Sequence, residues 1–521
     1  MRRLTMILPL FGFCLLHAGC GQSVPGPSEL ASRETAPSQA WALDEPAVET
    51  GTTPAPAAAE PSALPELERK IDHFDGPADG GPESPIDEGL KTAKPRERKP
   101  EQLQFRRSGQ LTAGSIDDVE RTEEFCQFLD QTLQSGLFLG EVKNVRPHVM
   151  LQLTTSNGLP VGGAEIVIEE NDFQGETLRL TSGSDGRAML TVSDLEVQTG
   201  RCEATIQLPD GGNPIREMLS LDSDVCHIVV PDVEAERPQR LDLALVIDTT
   251  GSMGDELEYL KAEIDSIVAR LRETFPNVDQ RFALVVYRDQ GDHYVSRKFD
   301  FTRSLDDLRN ELSRQHAAGG GDYPEAVHVA LQQAASLDWR PGNVARVAFL
   351  VGDAPPHDRD MLAAFEATSG LRASGVRLYP VASSGVALKA EFVMRSAAFL
   401  TMGQYLFLTD HSGIGNPHAN PHTSQYLVEH LDCLMVRMIT AELCGRRLQP
   451  DEVLAIERGD MELPYGPGPI LPEQRQQWQE QARSSQAAIL TLPEGAGMWL
   501  VLGAVFIGVC VYDSLRSHEN A

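Results

Sequence analysis

The pattern of apolar and polar positions changes character along the chain. Between residues 149 and 208, short segments alternate apolar with polar residues at a period of two, and turns such as Asn157-Gly158 separate them. Alternation of this kind predicts short β-strands with one buried face. We therefore expect a small β-sandwich-like module over residues 146–232.

A different pattern begins at Leu241. Residues 241–248 (LDLALVID) are almost continuously apolar, as in a strand that is buried on both faces of a parallel sheet. Segments with apolar residues at the helical spacing i, i+3, i+4 and i+7 then alternate with further apolar strands, up to a helix predicted over 424–438. Alternating strands and helices predict an α/β domain with a doubly wound, mostly parallel sheet, which we place at residues 240–442.

The remaining interior segments carry weaker patterns. Residues 21–101 are rich in Pro, Ala, Ser, Gly and Glu and lack apolar periodicity, which predicts a disordered tether. Residues 102–145 are amphipathic, with Phe125 and Phe128 among the apolar positions, and predict a helical segment. Residues 443–494 are expected to be a linker.

Both ends of the chain carry apolar segments. Two arginines precede an uncharged stretch over residues 4–16, and small residues then lead to Cys20, which is the layout of a signal peptide over residues 1–20. Residues 495–512 are eighteen uncharged positions. As a helix they would extend about 27 Å, enough to cross a bilayer core, so we expect a transmembrane helix there. The alternative is a buried or interfacial apolar helix.

The segment Leu16-His17-Ala18-Gly19-Cys20 resembles a bacterial lipobox, with His17 in the place where Leu is usual. The resemblance implies that Cys20 becomes the lipidated first residue. The alternative is ordinary cleavage near Ala18, with Cys20 unmodified. In either case we expect an exported chain of the cell envelope, outside the cytoplasm and anchored to a membrane by the lipid, the C-terminal helix or both.

The charge balance narrows the classes of partner. Lys and Arg total 45 and Asp and Glu total 76, so the net charge is 45 − 76 = −31. Nucleic-acid affinity comes largely from Lys and Arg, so a nucleic-acid partner is not expected. A hydrophobic content of 41% excludes a polytopic membrane protein and a wholly disordered chain. The acidity instead suits divalent cations.

The cysteines offer one candidate disulfide. Cys202 and Cys226 both fall in the predicted β module, and an exported chain lies in a compartment that permits disulfides. Cys433 and Cys444 are eleven positions apart. On one continuous helix they would be about 16 Å apart, which is too far for a bridge.

Candidate chemistry lies where predicted strands end, the edge at which α/β sheets bind ligands. Asp248, Thr250 and Ser252 follow the first strand at positions i, i+2 and i+4, and Asp353 follows a later one. One carboxylate and two hydroxyls at this spacing can converge on a hard cation such as Mg²⁺, which takes oxygen ligands and keeps open positions. The alternative is that these groups cap helices and satisfy loop backbone.

Three motifs in this order resemble the von Willebrand factor type A (VWA) domain family, in its bacterial exported or lipoprotein type. DTTGSM from Asp248 is similar to the family's Asp-x-Ser-x-Ser motif, GGGDYPE contains Asp322 where the family has Thr, and GDAPPH contains Asp353. The resemblance implies a metal-ion-dependent adhesion site (MIDAS) that holds Mg²⁺, Mn²⁺ or Ca²⁺. Its last open position takes an acidic residue of a protein partner.

The departure at Asp322 leaves alternatives open. A third carboxylate on the metal would neutralise more of its charge and weaken its attraction for a partner's carboxylate. Alternatively, Asp322 binds through water or caps the helix that begins near Pro324. The preceding β module, with GLPVGGAEIVI and SGSDGRAMLTV, resembles carboxypeptidase-regulatory-like and Ig-like domains, and no chemistry is visible in it.

A second candidate site is the loop over residues 409–422. It contains Asp410, His411, His418 and His422, a set that could ligate a transition metal. The alternative is that these histidines hydrogen-bond to backbone or water, and the Gly and Pro content of the loop favours it. We also expect His357 to fix a loop rather than to bind metal.

These observations predict a membrane-tethered protein that binds a protein partner through a metal site. The sequence has no HExxH, no GxSxG and no Gly-rich phosphate loop followed by Lys, so no enzyme activity is expected. One alternative is a hydrolase in which the metal or the histidine loop activates water. The other is a structural envelope protein whose metal only stabilises the fold.

Overall fold

The computed structural model describes residues 109–139, 141–146, 148–169, 177–195, 200–231, 233–412, 418, 421–423 and 426–466. The predicted signal peptide with Cys20, the tether and the apolar segment at 495–512 lie outside these residues. Within the described ranges, no helix is both long and apolar enough to cross a membrane.

The described residues alternate strands with helices from the middle of the chain onwards. The strands are β1 (Thr112–Ile116), β2 (His148–Thr155), β3 (Glu165–Glu169), β4 (Thr177–Thr181), β5 (Arg187–Thr191), β6 (Arg201–Gln207), β7 (Ile215–Ser220), β8 (Val225–Val230), β9 (Arg240–Asp248), β10 (Asp279–Tyr287), β11 (Ser296–Thr302), β12 (Ala345–Gly352), β13 (Arg377–Ala382), β14 (Tyr405–Leu408) and β15 (Val428–His430). The α-helices are α1 (Thr122–Gln134), α2 (Gly254–Thr274), α3 (Leu305–Ser313), α4 (Val327–Ala335), α5 (Met361–Ala373), α6 (Leu388–Leu400), α7 (Leu431–Cys444) and α8 (Pro450–Arg458).

An eight-stranded sheet in the order β11-β10-β9-β12-β13-β14-β1-β15 forms the centre of the α/β domain. The strands β10, β9, β12, β13 and β14 are parallel, and β11, β1 and β15 pair antiparallel. Helices α2, α3 and α7 pack on one face and α4 and α5 on the other. The predicted α/β class is confirmed, with a mixed sheet.

Burial on both faces explains the continuous apolar run of β9. Leu243, Leu245 and Ile247 point into the core under α2 and α7, whereas Ala244 and Val246 point into the core under α4. A central strand between two helical layers has no solvated face, so it shows no alternation of apolar and polar residues.

Residues 148–230 form two smaller sheets. One has three strands in the order β5-β2-β8, and the other has four in the order β4-β3-β6-β7. The apolar residues of both sheets share a single core. Cys202 and Cys226 both contact this core and both are free thiols, so the candidate disulfide between them is not formed in this structure.

The N-terminal segment differs from the helix predicted over 102–145. Its helix α1 is present, but the strand β1 precedes it and lies between β14 and β15 in the large sheet. Gly114 permits this insertion, because a Cβ at that position would lie 2.5 Å from the ring of Phe407. The alternation in β1 spans only five residues and its pairing partners are distant in sequence, so the local pattern gave little indication of a strand.

The C-terminal boundaries also differ from the prediction. Val428–His430 form β15, so α7 begins at Leu431 instead of continuing from residue 424. Helix α8 occupies part of the segment expected to be a linker, and a capping box between Gln449 and Glu452 marks its start. Cys433 and Cys444 lie on the one continuous helix α7 and are free.

Buried charges fasten the N-terminal segment to the α/β domain. The Glu263 carboxylate on α2 accepts hydrogen bonds from the backbone N–H groups of residues 109, 110 and 111. Arg395 on α6 donates two hydrogen bonds to Asp118, at 3.0 and 2.6 Å, and a third to Glu391. Burial raises the pKa of Asp118 to about 6, although the bonds from Arg395 act in the opposite direction.

Replacing Asp118 should therefore destabilise the domain. Asp118→Asn leaves the buried Arg395 without its main countercharge, and we expect a loss of about 3 kcal/mol in the free energy of unfolding, measured with denaturant. The control is Asp130→Asn, which removes an exposed ion pair with Arg146 and should cost less than about 1 kcal/mol. Equal unfolding midpoints for the two variants would show that the N-terminal segment does not stabilise the domain.

Candidate metal centre

Asp248 ends β9 and is completely buried. Its Oδ1 atom accepts hydrogen bonds from the backbone N–H of Thr250, at 2.8 Å, and from the Thr250 hydroxyl, at 2.7 Å. Its Oδ2 atom has no hydrogen-bond partner within 3.5 Å among the described residues, although the nearby Tyr287 hydroxyl interacts with the Asp248 carboxylate and acts to lower its pKa. Because a buried carboxylate oxygen without a partner is costly, this atom requires compensation by a proton or a cation.

The other predicted ligands lie around Asp248. The Thr250 hydroxyl is 3.1 Å from the Ser252 hydroxyl. Asp353, which directly follows β12, is nearly buried, and the nearby Ser252 acts to lower its pKa against the larger opposite effect of burial. The neighbouring strands β9 and β12 are parallel, so their carboxyl ends bring all four side chains to one edge of the sheet.

The loop between α3 and α4 places Asp322 differently from the position expected of a metal ligand. Asp322 is exposed, and no hydrogen bond or ion pair joins it to any residue that the structure describes. Glu325 takes the inward position instead, with 3% of its surface exposed. Its Oε2 atom is buried without a hydrogen-bond partner, like Oδ2 of Asp248.

Backbone contacts hold Glu325 at the site. Its N–H donates to the carbonyl of Pro355 at 3.0 Å, which ties the loop to the segment after β12. Its Oε1 atom lies 3.2 Å from the place that a Cβ on Gly320 would occupy, and Thr250 borders the same space. Sequence reasoning missed Glu325 because the resemblance to the family points to Asp322, which stands where the family has Thr. The adjoining Pro324-Glu325 pair before a helix was the only available signal.

The electrostatics of the site reflect several carboxylates in one buried place. Burial, and after it the nearby charge of Asp353, raise the pKa of Asp248 to about 7. Burial also raises the pKa of Glu325 to about 9, with contributions from Asp248, Asp289 and the other acids. The pKa of Asp353 is raised as well, again chiefly by burial. All three carboxylates favour a positive partner.

Close packing and hydrogen bonds fix the loops around the site. A Cβ on Gly352 would lie 2.5 Å from the Tyr287 hydroxyl and 3.3 Å from Cβ of Asp248, so only glycine fits at the end of β12. Tyr323 donates from its hydroxyl towards the carbonyls of Asp353 and Gly385. His357 is hydrogen-bonded to Asp289 at 2.8 Å, which is the loop-fixing contact expected for it.

The histidine loop does not form a metal cluster in the part of the chain that the structure covers. His418 is hydrogen-bonded to Asp410 at 2.8 Å, whereas His422 is hydrogen-bonded to Glu391 at 2.6 Å. More generally, no three His, Cys, Asp or Glu side chains among the described residues are arranged to hold a metal. Any cation at the Asp248 edge would therefore depend on hydroxyl and water oxygens as well as carboxylates.

One chain of hydrogen bonds has the order of a catalytic triad. Ser384 is 3.1 Å from Nε2 of His418, whose Nδ1 contacts Asp410. However, Ser384 is buried, and its hydroxyl and its backbone N–H both donate to the carboxylate of Glu256. A carboxylate at this position would repel an oxyanion, so the arrangement fastens the loop to α2 rather than preparing a nucleophile.

Residues 242–385 match the von Willebrand factor A domain model VWA_4, and these residues form a VWA domain. The human von Willebrand factor A domain-containing protein 7 is 39% identical over 93 residues, which are 18% of this chain and 10% of that protein. An alpha-protein kinase, vwkA, of Dictyostelium discoideum is 27% identical over 172 residues, 33% of this chain and 27% of the kinase.

Other similarities are equally partial. An ariadne-like RING finger protein of Acanthamoeba polyphaga mimivirus is 35% identical over 119 residues, 23% of this chain and 11% of that protein. Among solved structures, proximal thread matrix protein 1 from the mussel byssus matches 31% of this chain and 41% of its own, with 19% identity and a TM-score of 0.25. The chain thus spans about a tenth to a quarter of the length of the curated relatives named above.

The raised pKa values predict that stability in chelator falls as the pH rises. Between the ordinary pKa of glutamate and the folded value of about 9, the folded protein binds more protons at Glu325 than the unfolded chain does. For each extra proton that the folded protein binds, the free energy of unfolding falls by up to about 1.4 kcal/mol for every unit by which the pH rises. Glu325→Gln should flatten this slope in denaturant unfolding between about pH 5 and 8.

The exposed Glu366 on α5 provides the control for this pH dependence. Glu366→Gln changes the same chemical group outside the site, so its unfolding slope should equal that of the wild type. If Glu325→Gln also retained the full slope, Glu325 would not hold a proton in the folded protein.

Proposed function

We propose that this VWA domain binds a protein partner through a divalent cation held at the Asp248 edge. VWA domains commonly mediate protein–protein interaction. The observation that carries the metal is the pair of buried carboxylate oxygens without partners, Oδ2 of Asp248 and Oε2 of Glu325. A hard cation such as Mg²⁺, Mn²⁺ or Ca²⁺ supplies the positive charge that both atoms lack.

The donor set fits such an ion. Asp248 would contribute a carboxylate oxygen, Thr250 and Ser252 their hydroxyl oxygens, and Asp353 a carboxylate oxygen, directly or through water. Glu325 would compensate the charge of the ion from the opposite side. When bound, the ion supplies an electrophilic position that an acidic side chain of the partner can occupy.

Asp322 takes a different role in this proposal. Because its side chain is exposed at the rim of the site, it would face the partner rather than the ion. A negative charge there repels an acidic partner residue through solvent, which weakens binding slightly and adds selectivity. The half-exposed Tyr323 beside it offers an aromatic surface for the same contact.

We further propose that the domain works outside the cytoplasm as part of a membrane-tethered chain. This rests on the signal-like first twenty residues, on the lipobox-like sequence that ends at Cys20 and on the apolar segment at 495–512. The β-sandwich-like module of residues 146–232 would act as a spacer. A fatty-acid analogue that labels the wild type and Cys20→Ala equally would contradict lipidation at this cysteine.

The metal proposal is tested by three substitutions. Mg²⁺ at about 100 times its Kd should stabilise the wild type by roughly 2.7 kcal/mol relative to chelator. Asp248→Asn should weaken Mg²⁺ binding at least about tenfold, or about 1.4 kcal/mol, in calorimetry. Glu325→Gln should also weaken it, because one compensating charge is lost. The control is Asp322→Asn, for which we expect a change of no more than about twofold, since exposed charges act weakly through solvent.

The same variants distinguish adhesion from a purely structural ion. Capture of partners from envelope fractions should require Mg²⁺, should disappear with Asp248→Asn and should be retained or increased with Asp322→Asn. Capture that ignores both chelator and Asp248→Asn would contradict binding through the metal. Equal Mg²⁺ affinities for the wild type and Asp248→Asn would exclude the site itself.

A further inference from the structure

A second site lies at the opposite end of the large sheet. The parallel strands β9 and β12 end at the candidate metal centre and begin beside a cleft of about 450 Å³ between the VWA domain and the two smaller sheets. The residues that line this cleft from both sides include Gly163, Thr181, Pro209, Trp339, Gly342 and Arg346. The proposed cation and partner site makes no use of these residues.

Arg346 is the distinctive side chain of the cleft. Only 3% of its surface is exposed. Its Nε atom donates to the carbonyl of Arg340 and its Nη2 atom to the carbonyl of Gly342, both at 2.7 Å. Its Nη1 atom is buried without a hydrogen-bond partner. A Cβ on Gly375 would lie 3.1 Å from Nη1 and 3.0 Å from Cβ of Thr181. Thr181 and Ser374, the neighbour of Gly375, line the cleft, so Nη1 lies directly behind this part of its wall.

Neighbouring carboxylates do not neutralise Arg346. Asp242 forms ion pairs with Arg281 and Arg340, and Asp279 forms ion pairs with Arg303 and Arg340. Arg346 interacts with Asp242 only at longer range, and no ion pair joins it to another described residue. One guanidinium in the cleft wall therefore retains charge that its surroundings do not match.

Arg240 adds a second cation at the edge of the cleft. Its Nη2 atom makes only long hydrogen bonds, at 3.3 and 3.4 Å, to the carbonyls of Pro341 and Asn343. The same atom is 3.3 Å from the place that a Cβ on Gly342 would occupy. Burial lowers the pKa of Arg346 to about 10; Asp242 acts in the opposite direction, and Arg240 adds to the lowering as a like charge nearby.

A buried guanidinium hydrogen without an acceptor is costly, and an oxyanion is the partner that it binds best. We propose that this cleft binds a small oxyanion, a carboxylate or phosphate group, through Nη1 of Arg346, with Arg240 adding attraction from the edge. Two carboxylates also border the cleft, and both reduce the affinity for an anion. Asp338 is exposed, at 92% of its side chain, and Glu165 forms an ion pair with Arg179.

The test uses the full chain and two probes, inorganic phosphate and acetate, titrated by calorimetry with ionic strength held constant by chloride. We expect the wild type to bind at least one probe with a Kd below about 10 mM, and the comparison of the two probes distinguishes a phosphate ligand from a carboxylate ligand. Arg346→Met should weaken that binding at least about tenfold, and Arg346→Lys should weaken it less. No binding of either probe would overturn the proposal, because water would then satisfy Nη1.

Two further pairs of substitutions keep the proposal testable if Arg346→Met fails to fold. Thr181→Glu places a carboxylate in the cleft beside Nη1, and it should abolish binding of the added anion, whereas the neutral Thr181→Gln should retain binding. Asp338→Asn removes a repelling charge and should tighten binding about twofold, whereas Asp300→Asn, on the exposed strand β11, should leave it unchanged. Equal affinity in Thr181→Glu and Thr181→Gln would overturn the assignment to this cleft.

Discussion

The structure depends on one constraint, the complete burial of the Asp248 carboxylate at the end of a strand that is itself buried on both faces. One oxygen of this carboxylate organises the following turn through the N–H and hydroxyl of Thr250. The other oxygen has no partner. A carboxylate oxygen that is removed from water without a close partner is unfavourable on its own, and the proposed cation site rests on this observation.

The loops around Asp248 keep its carboxylate buried and place further carboxylates beside it. Gly352 allows β12 to approach closely enough for Asp353 to lie beside Asp248, and Glu325 brings a third carboxylate into the same space. Contacts from Tyr323 and His357 connect the loops that follow β10 and β12 and the loop before α4. Because these contacts are hydrogen bonds to a backbone carbonyl and to the Asp289 carboxylate, they fix the loops independently of any bound ion.

Sequence reasoning could identify the buried strands and the polar residues that follow β9, because each depends on local information. The run LDLALVID is almost continuously apolar, which indicates a strand that is buried on both faces. Asp248, Thr250 and Ser252 are close in sequence, in the turn that follows this strand. It could not identify β1, whose five residues form a strand only because β14 and β15 pair with them. Nor could it choose between Asp322 and Glu325, which are three residues apart in one loop. Which of the two side chains is buried depends on a tertiary contact, the hydrogen bond from the N–H of Glu325 to the carbonyl of Pro355.

The two ends of the sheet carry unmatched charges of opposite sign, and the same feature of the fold explains both. Strands β9 and β12 are buried along nearly their whole length, so polar groups can occur almost only where these strands begin or end. At the carboxyl end the loops converge on Asp248, Asp353 and Glu325, whereas at the amino end they converge on Arg240 and Arg346. Asp242, the one acidic residue near the start of β9, is already shared between two arginines. A fully apolar centre therefore places the polar groups of these strands at the two edges of the sheet, where the proposed cation site and the proposed anion-binding cleft lie.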